Sequence, residues 1–430
     1  MVEKRIIKSL IVEKQDEIPK IPLVKRPLNL DAAGNYVFIG LRRAGKSYLL
    51  YQHIQDLLRQ GTIGKDNILY VNFEDERIAS VSGEELGMFI ECYKEMYDAR
   101  PWIFLDEIQN IEGWEKFARR LADSKYKVFI TGSNAKMLSR EIYTTLGGRF
   151  IAHEVFPFSF QEYLSFNEVV LAQNWEYGDV RAQVVKLFQD YFYFGGFAES
   201  FIFKDKRSWI NSLYQKILLG DVVFRNSIRN ENAIRVLVKK LAESIMQPSS
   251  LARIRNIIDS TGTCLSRNTL VDYIRFLEDA CLVFGISNFS DKLSSKETLK
   301  KRYFWDNGLL NNFLFEPEAK LLENLVAITL KKRYGDELYY YNRNIEVDFF
   351  IPKAHSAVQV SYSIANAATL QREVKALVRL SERHALSKVE IVTWDEEATI
   401  TEGGLTIQAI PVWKWLLAFS AESFAASLFR

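Results

Sequence analysis

The sequence predicts an α/β protein whose N-terminal third is a parallel sheet covered by helices and carrying a phosphate-binding loop. Three observations predict it. Short apolar runs alternate with helical stretches from Asn35 to Phe156. A glycine-bearing loop, Gly40 to Ser47, directly follows the first run. An acidic pair, Asp106-Glu107, directly follows the third.

The runs are Tyr36 to Ile39, Ile68 to Phe73, Trp102 to Leu105, Lys127 to Ile130 and Phe150 to Val155, with a helix over Ser47 to Gln60 after the loop. Strands that are apolar throughout, rather than at every second position, are buried on both faces. That is the habit of parallel sheets with helices on each side.

Gly40-Leu41-Arg42-Arg43-Ala44-Gly45-Lys46-Ser47 matches G-x-x-x-x-G-K-[ST] in full. Glycines let the backbone curl so that its N–H groups face a phosphate, and the next helix presents its positive end. In that pattern Lys46 neutralises the β- and γ-phosphates of a nucleoside triphosphate and Ser47 ligates Mg²⁺. ATP and Mg²⁺ are the expected ligands.

Four apolar residues that end in two acids form a buried strand delivering carboxylates to the C-terminal edge of the sheet, where phosphates bind. Asp106 is expected to hold the Mg²⁺ shell with Ser47, and Glu107 to polarise the attacking water. The fourth run ends in Thr131-Gly132-Ser133-Asn134. A polar side chain there can sense the γ-phosphate. Asn134 is the first choice and Ser133 the second, against the plain reading of a turn and helix cap. Arg149 follows Gly147-Gly148 just before the fifth run. It reads either as an arginine that serves a neighbouring subunit's nucleotide or as a salt-bridged surface residue.

Composition excludes several classes. Among 430 residues, 48% are hydrophobic and 13% aromatic, which argues against disorder. With 56 basic and 54 acidic side chains, the net charge of +2 does not suggest a chain that coats polyanions. Cys92, Cys264 and Cys281 form no C-x-x-C pair and the four histidines are scattered, so a Cys-rich zinc site is excluded and a reducing cytoplasm fits. Met1 to Lys14 lacks the apolar core of a signal peptide, and no uncharged run approaches bilayer length. The segment Val412 to Phe429 reads as an amphipathic packed helix.

Taken in order, these motifs resemble the AAA-type fold of P-loop ATPases. The chain is also similar to a large prokaryotic family of uncharacterised ATPases that couple such a domain to a C-terminal nuclease-like domain. The resemblance lies in Gly40 to Ser47, Phe104 to Gln109, Thr131 to Ser133 and Gly148-Arg149 followed by Phe156 to Tyr163. It continues in Tyr193 to Phe197, Tyr303 to Leu309 and Glu346 to Phe349. It implies ATP binding and four parts: an ATPase domain over 1–158, a helical lid over 159–230, a winged-helix-like domain over 231–310 and a restriction-endonuclease-like domain over 311–430.

In the third part, Leu251 to Ser260 and Ser266 to Asp279 are expected as helices around a turn, and Asp291 to Arg302 as a polar wing. Lys292, Lys296, Lys300, Lys301 and Arg302 make that wing basic, so it is read as either a DNA contact or a solvated loop on a protein-docking module. In the fourth part, Glu323 and Asp348 occupy the positions where the resembled nucleases hold a divalent metal. The third position reads Gln359-Val360-Ser361. Glutamine is a weaker ligand than glutamate, and serine cannot supply lysine's charge, so a retained fold with a degraded site is expected. Lys375, on the following helix, is the substitute cation that would reverse this.

The expected function is an ATP-driven switch of the AAA type that repositions the winged-helix and nuclease-like parts to engage a partner. The alternative is an ATP-gated, metal-dependent DNA nuclease. Expected partners are ATP, DNA or a protein, and further copies of the chain. No membrane role is expected.

Overall fold

Helix formation and strand pairing follow the apolar pattern closely in the N-terminal part of the computed structural model, which describes residues 2–133, 144–262 and 265–419. The five expected strands are β1 (Tyr36–Gly40), β2 (Ile68–Asn72), β3 (Trp102–Asp106), β4 (Lys127–Gly132) and β5 (Ile151–Val155). All pair in parallel, in the order β2-β3-β4-β1-β5. This sheet belongs to a compact unit of Met1–Phe156 with Asp279–Cys281.

Helix α1 (Lys4–Glu17) buries Ile7, Leu10 and Ile11, and its Gln15 Nε2 donates to Ile68 O at 2.9 Å. Helix α2 (Lys46–Arg59) buries Leu49, Leu50, Ile54 and Leu57. Phe129, midway along β4, is nearly parallel to Phe104 (centroids 5.0 Å apart) and to Trp102 (5.9 Å), and His53 of α2 packs on it at 4.6 Å. Removing a ring from such a core costs about 3–5 kcal/mol.

The rest, Pro157–Glu278 and Leu282–Arg430, forms the other unit. Residues 159–230 are mainly helical: Phe160–Phe166, Val180–Phe194, Lys206–Lys216 and a π-helical stretch Ile217–Phe224. Next come helix Glu231–Glu243, β6 (Ser249–Ser250), helices Leu251–Ser260 and Arg267–Asp279, and the antiparallel strands β7 (Val283–Asn288) and β8 (Leu299–Phe304).

Helix Glu318–Tyr334 then leads to β9 (Tyr339–Asn342), β10 (Glu346–Ile351), β11 (Ser356–Val360), helix Ala367–Ser381, β12 (Lys388–Thr393), β13 (Ala398–Glu402) and β14 (Leu405–Pro411). Leu377, Phe350, Val347 and Ile391 lie at the core of this last part. Residues 412–419 are helical, and the remainder of the expected C-terminal helix lies outside the described residues.

Two expectations are corrected. The C-terminal part does not have a sheet of its own. Strand β7 pairs in parallel with β9, at Ser287↔Tyr339 and Asn288↔Tyr340, giving one nine-stranded sheet ordered β13-β14-β12-β11-β10-β9-β7-β8-β6. Asn288 seals the junction, donating from Nδ2 to Asn342 O at 2.9 Å and accepting the Asn342 N–H at 3.0 Å.

The expected wing is not simply a polar loop. It contains a short helix, Leu293–Thr298, and runs into β8. Two of its five basic residues are interior: Lys301 is 0% exposed, and Arg302 is buried with its Nε 3.8 Å from Glu278 Oε1. Neither is placed to meet phosphates.

Candidate functional site

The phosphate loop is built by two different uses of glycine. Gly45 has φ +91°, a left-handed conformation that side chains resist, and it turns the chain into α2. Gly40 is required by contact, since a Cβ there would stand 2.0 Å from Val155 O on the neighbouring strand. Arg26, to which no motif pointed, braces the loop from outside. Its Nη1 donates to Ala44 O at 3.0 Å and its Nη2 to Phe156 O at 2.9 Å.

Lys46 is buried at the first position of α2. Its Nζ donates to the carbonyls of Gly40 and Leu41, each at 3.2 Å, and lies 3.3 Å from Glu107 Oε1. The loop, the lysine and the acidic pair therefore converge at the C-terminal edge of the sheet.

Asp106 ends β3 fully buried, and its carboxylate is held on both sides. Thr131 donates to Oδ1, and Tyr70 donates to Oδ2 at 2.5 Å. The Ser47 hydroxyl also favours its ionised form. Burial pushes the Asp106 carboxyl up, helped by the charge of Glu107, while these hydrogen bonds oppose the rise.

Glu107 has φ +53° and ψ +40°, a left-handed backbone that costs a non-glycine residue on the order of 1 kcal/mol. The Oγ1 of Thr131 accepts its N–H at 2.8 Å. Burial also works against the Glu107 carboxylate. The Lys46 charge, a hydrogen bond from Gln109 and the Arg42 charge outweigh it and hold the group below the ordinary range. Glu107 is thus ionised at neutral pH, as a group that takes a proton from water must be.

Gln109 Nε2 donates to Glu107 Oε2 at 2.5 Å and to Ser133 Oγ at 3.2 Å, which brings Ser133 into the same network. Asn134 lies outside the described residues. Arg42 pairs with Glu74 at 2.9 Å. An oxygen donor set of one hydroxyl and one carboxylate, Ser47 and Asp106, fits Mg²⁺, which keeps several of its waters when protein-bound.

Arg149 lies elsewhere. Strand β5 starts at Ile151, opposite Tyr36, whereas Gly40 faces Val155. Arg149, two residues before β5 and six before Val155, therefore lies at the other edge of the sheet, about 20 Å from the loop at 3.3 Å per residue. Its Nε pairs with Asp123, and its Nη1 donates to Gly147 O at 3.2 Å.

In the other unit, Glu323 and Asp348 do come together, both against Lys301. Ser361 donates to Ser363 O at 2.9 Å and Lys375 is exposed on its helix. Among the described residues, no group of three or more His, Cys, Asp or Glu is arranged to hold a metal, and no helix is long and apolar enough to cross a membrane.

Sequence reasoning missed Tyr70, Thr131 and Arg26 as parts of the site. Thr131 carried a signal: it is the penultimate residue of β4, beside β3 and one residue beyond the Leu105↔Ile130 pair. Tyr70 and Arg26 carried none, because each reaches the site through pairing or packing of segments distant in sequence.

The family model described as AAA domain matches residues 34–164, and one described as Domain of unknown function (DUF8612) matches residues 185–319. The chain is 31% identical over 438 residues to the uncharacterized protein MJ1544 of Methanocaldococcus jannaschii, covering 97% of both chains. It is 30% identical over 394 residues to an uncharacterized protein of Haemophilus influenzae, covering 89% of this chain and 94% of that one.

Two solved structures are more remote. The Walker-type ATPase PABY2304 of Pyrococcus abyssi shows 14% identity and a TM-score of 0.37, over 73% of this chain and 96% of its own. CDC6p of Pyrobaculum aerophilum shows 13% and 0.26, over 75% and 94%. At these scores neither informs the site. The full-length relatives and the matched domain together place the chain: it belongs to one family with the M. jannaschii and H. influenzae proteins, and its N-terminal part is an AAA-type P-loop ATPase domain.

Proposed function

We propose that the chain binds and hydrolyses ATP and acts as a nucleotide-dependent switch that repositions its winged-helix-like and nuclease-like segments to engage a partner. The observation that carries this reading is the convergence of Lys46, Asp106, Glu107 and Thr131 beside the Gly40–Ser47 loop. A chain that only bound nucleotide would have no need of an ionised glutamate at this edge.

The backbone N–H groups of the loop and the Lys46 ammonium receive the β- and γ-phosphates. Ser47 and Asp106 would hold Mg²⁺, which when bound neutralises charge on the phosphate oxygens. Glu107 accepts a proton from water as the water oxygen bonds to the γ-phosphorus and the bond to the β–γ bridging oxygen breaks. The products are ADP and phosphate. Asn134 or Ser133 senses the γ-phosphate. Arg149, on the far edge of the sheet, serves the nucleotide of a neighbouring copy. Steady-state phosphate release from wild type, Lys46→Ala and Glu107→Gln tests the reading. It fails if Glu107→Gln turns over at the wild-type rate.

For the partner, the element order helix, β6, helix, helix, β7, β8 supports a winged-helix reading over residues 231–310. With Lys301 and Arg302 interior, Lys292, Lys296 and Lys300 remain as basic wing residues. This favours a protein partner over DNA. The alternative of an ATP-gated nuclease is disfavoured by the lysine that stands between Glu323 and Asp348.

A further inference from the structure

Lys301 is a fully buried lysine. It sits on β8 at 0% exposure, and its ammonium faces three carboxylates: Asp348 Oδ1 at 3.0 Å, Glu346 Oε1 at 3.1 Å and Glu323 Oε1 at 3.6 Å. The carboxylates come from helix Glu318–Tyr334 and from β10, whereas the lysine comes from the β7–β8 hairpin. An ammonium is buried only where such partners replace its hydration.

The surrounding hydrogen bonds aim the carboxylates at it. Tyr303 donates to Glu323 Oε1 at 2.7 Å, and the Val360 N–H donates to Asp348 Oδ2 at 3.0 Å. Gln359 does not point into the cluster as a ligand. Its Oε1 accepts the Asp348 N–H at 2.7 Å, and its Nε2 donates to Glu373 Oε2 at 2.6 Å and Glu346 O at 3.2 Å. The Asp348 and Glu346 oxygens stand at N–H···O distances from the nitrogen, about 1 Å beyond the reach of a Mg²⁺–oxygen bond, and the Glu323 oxygen stands about 1.5 Å beyond it.

We infer that Lys301 is the resident cation of this cluster: its ammonium takes the place of the divalent metal that Glu323 and Asp348 would otherwise share, and joins the β7–β8 hairpin to the C-terminal strands. The cluster is a cation site closed by the chain's own side chain. A hard divalent ion enters only when the ammonium is removed, after the carboxylates close in by about 1–1.5 Å. This goes beyond the ATP-switch reading, and its test contains no nucleotide, so the two stand or fall separately.

The test is Mn²⁺ binding to the full chain by electron paramagnetic resonance, with thermal melts in EDTA and in Mn²⁺. Asp348→Asn is used to assign any site to this cluster, because Mn²⁺ held near Asp106 is indifferent to it. Wild type should show no Asp348-dependent site at millimolar Mn²⁺. Lys301→Met should gain one site per chain, lose it in Lys301→Met/Asp348→Asn, and melt on the order of 5 °C higher in Mn²⁺ than in EDTA. An Asp348-dependent site in wild type overturns the inference. So does a folded Lys301→Met that gains no site. If Lys301→Met does not fold, the wild-type comparison with Asp348→Asn decides alone: no difference in bound Mn²⁺ supports the inference and a lost site overturns it.

Discussion

The Lys46 ammonium lies 3.3 Å from Glu107 Oε1, so the cation of the phosphate loop and the carboxylate expected to activate water neutralise each other. Both side chains are buried, and the attraction is therefore little screened by solvent. A phosphate arriving at the loop competes with Glu107 for that lysine. Glu107→Gln removes the competitor together with the base. It should bind ATP several-fold more tightly than wild type while hydrolysing it at least a hundredfold more slowly. Lys46→Ala should lose binding. Equilibrium titration with a fluorescent ATP analogue and a phosphate-release assay separate the two effects. Unchanged turnover in Glu107→Gln would remove the assigned base.

Asp106 depends on Tyr70, which reaches it from the adjacent strand at 2.5 Å. Tyr70→Phe keeps the ring in the core and deletes only the hydroxyl. A hydrogen bond to a charged group is worth about 1.5–3 kcal/mol. The variant should melt a few degrees lower and need more Mg²⁺ for half-maximal turnover, with nucleotide affinity in EDTA unchanged. A wild-type Mg²⁺ dependence would mean that Thr131 suffices to orient the carboxylate.

Arg149 pairs with Asp123 within its own chain, a contact worth about 1 kcal/mol or less at a partly exposed position. If the arginine acts on a neighbour's nucleotide, Arg149→Ala should bind ATP normally and hydrolyse it at least a hundredfold more slowly. Asp123→Asn, which only frees the guanidinium, should stay active. Mixing Arg149→Ala with Lys46→Ala should partly restore turnover. Equal loss in Arg149→Ala and Asp123→Asn would mark the pair as structural, as would full activity in Arg149→Ala.

His53, packed on Phe129, is held neutral by burial, which lowers its value from 6.5 to about 4. Between those two values the unfolded chain binds a proton that the folded chain refuses, so stability rises with pH across that window and is lost as pH falls through it. The effect should be on the order of 2 kcal/mol. His53→Phe, which suits the same aromatic stack, should flatten the dependence of unfolding free energy on pH between about 4 and 6.5. Urea titrations at four pH values read this directly, and an unchanged slope would assign the dependence to other groups.

Much of the N-terminal sheet was legible because parallel strands buried on both faces need continuous apolar runs, and such runs are visible one residue at a time. Strands β1 to β4 start where their runs start and end within two residues of them, whereas β5, an edge strand exposed over much of its length, starts one residue late. The phosphate loop and Asp106-Glu107 were legible for the same local reason: they are positions at strand ends, where side chain and backbone chemistry are set by neighbours in the chain. The order of the strands, and hence which residues flank Asp106, was not.

What the sequence determined by itself is therefore the chemistry available at one edge of one sheet. Only the tertiary structure decided what supports that chemistry and what the remaining charges do. Tyr70 and Arg26 join the site through strand register and packing across the chain, and neither leaves a local trace. Lys300-Lys301-Arg302 reads as a basic surface loop, yet β8 pairs with β7 and turns Lys301 toward Glu323, Glu346 and Asp348. A lysine's charge is written in its own side chain. Whether that charge meets water, phosphate or a ring of carboxylates depends on pairings formed between distant segments, and a strand shifted by one residue would present it to the opposite face.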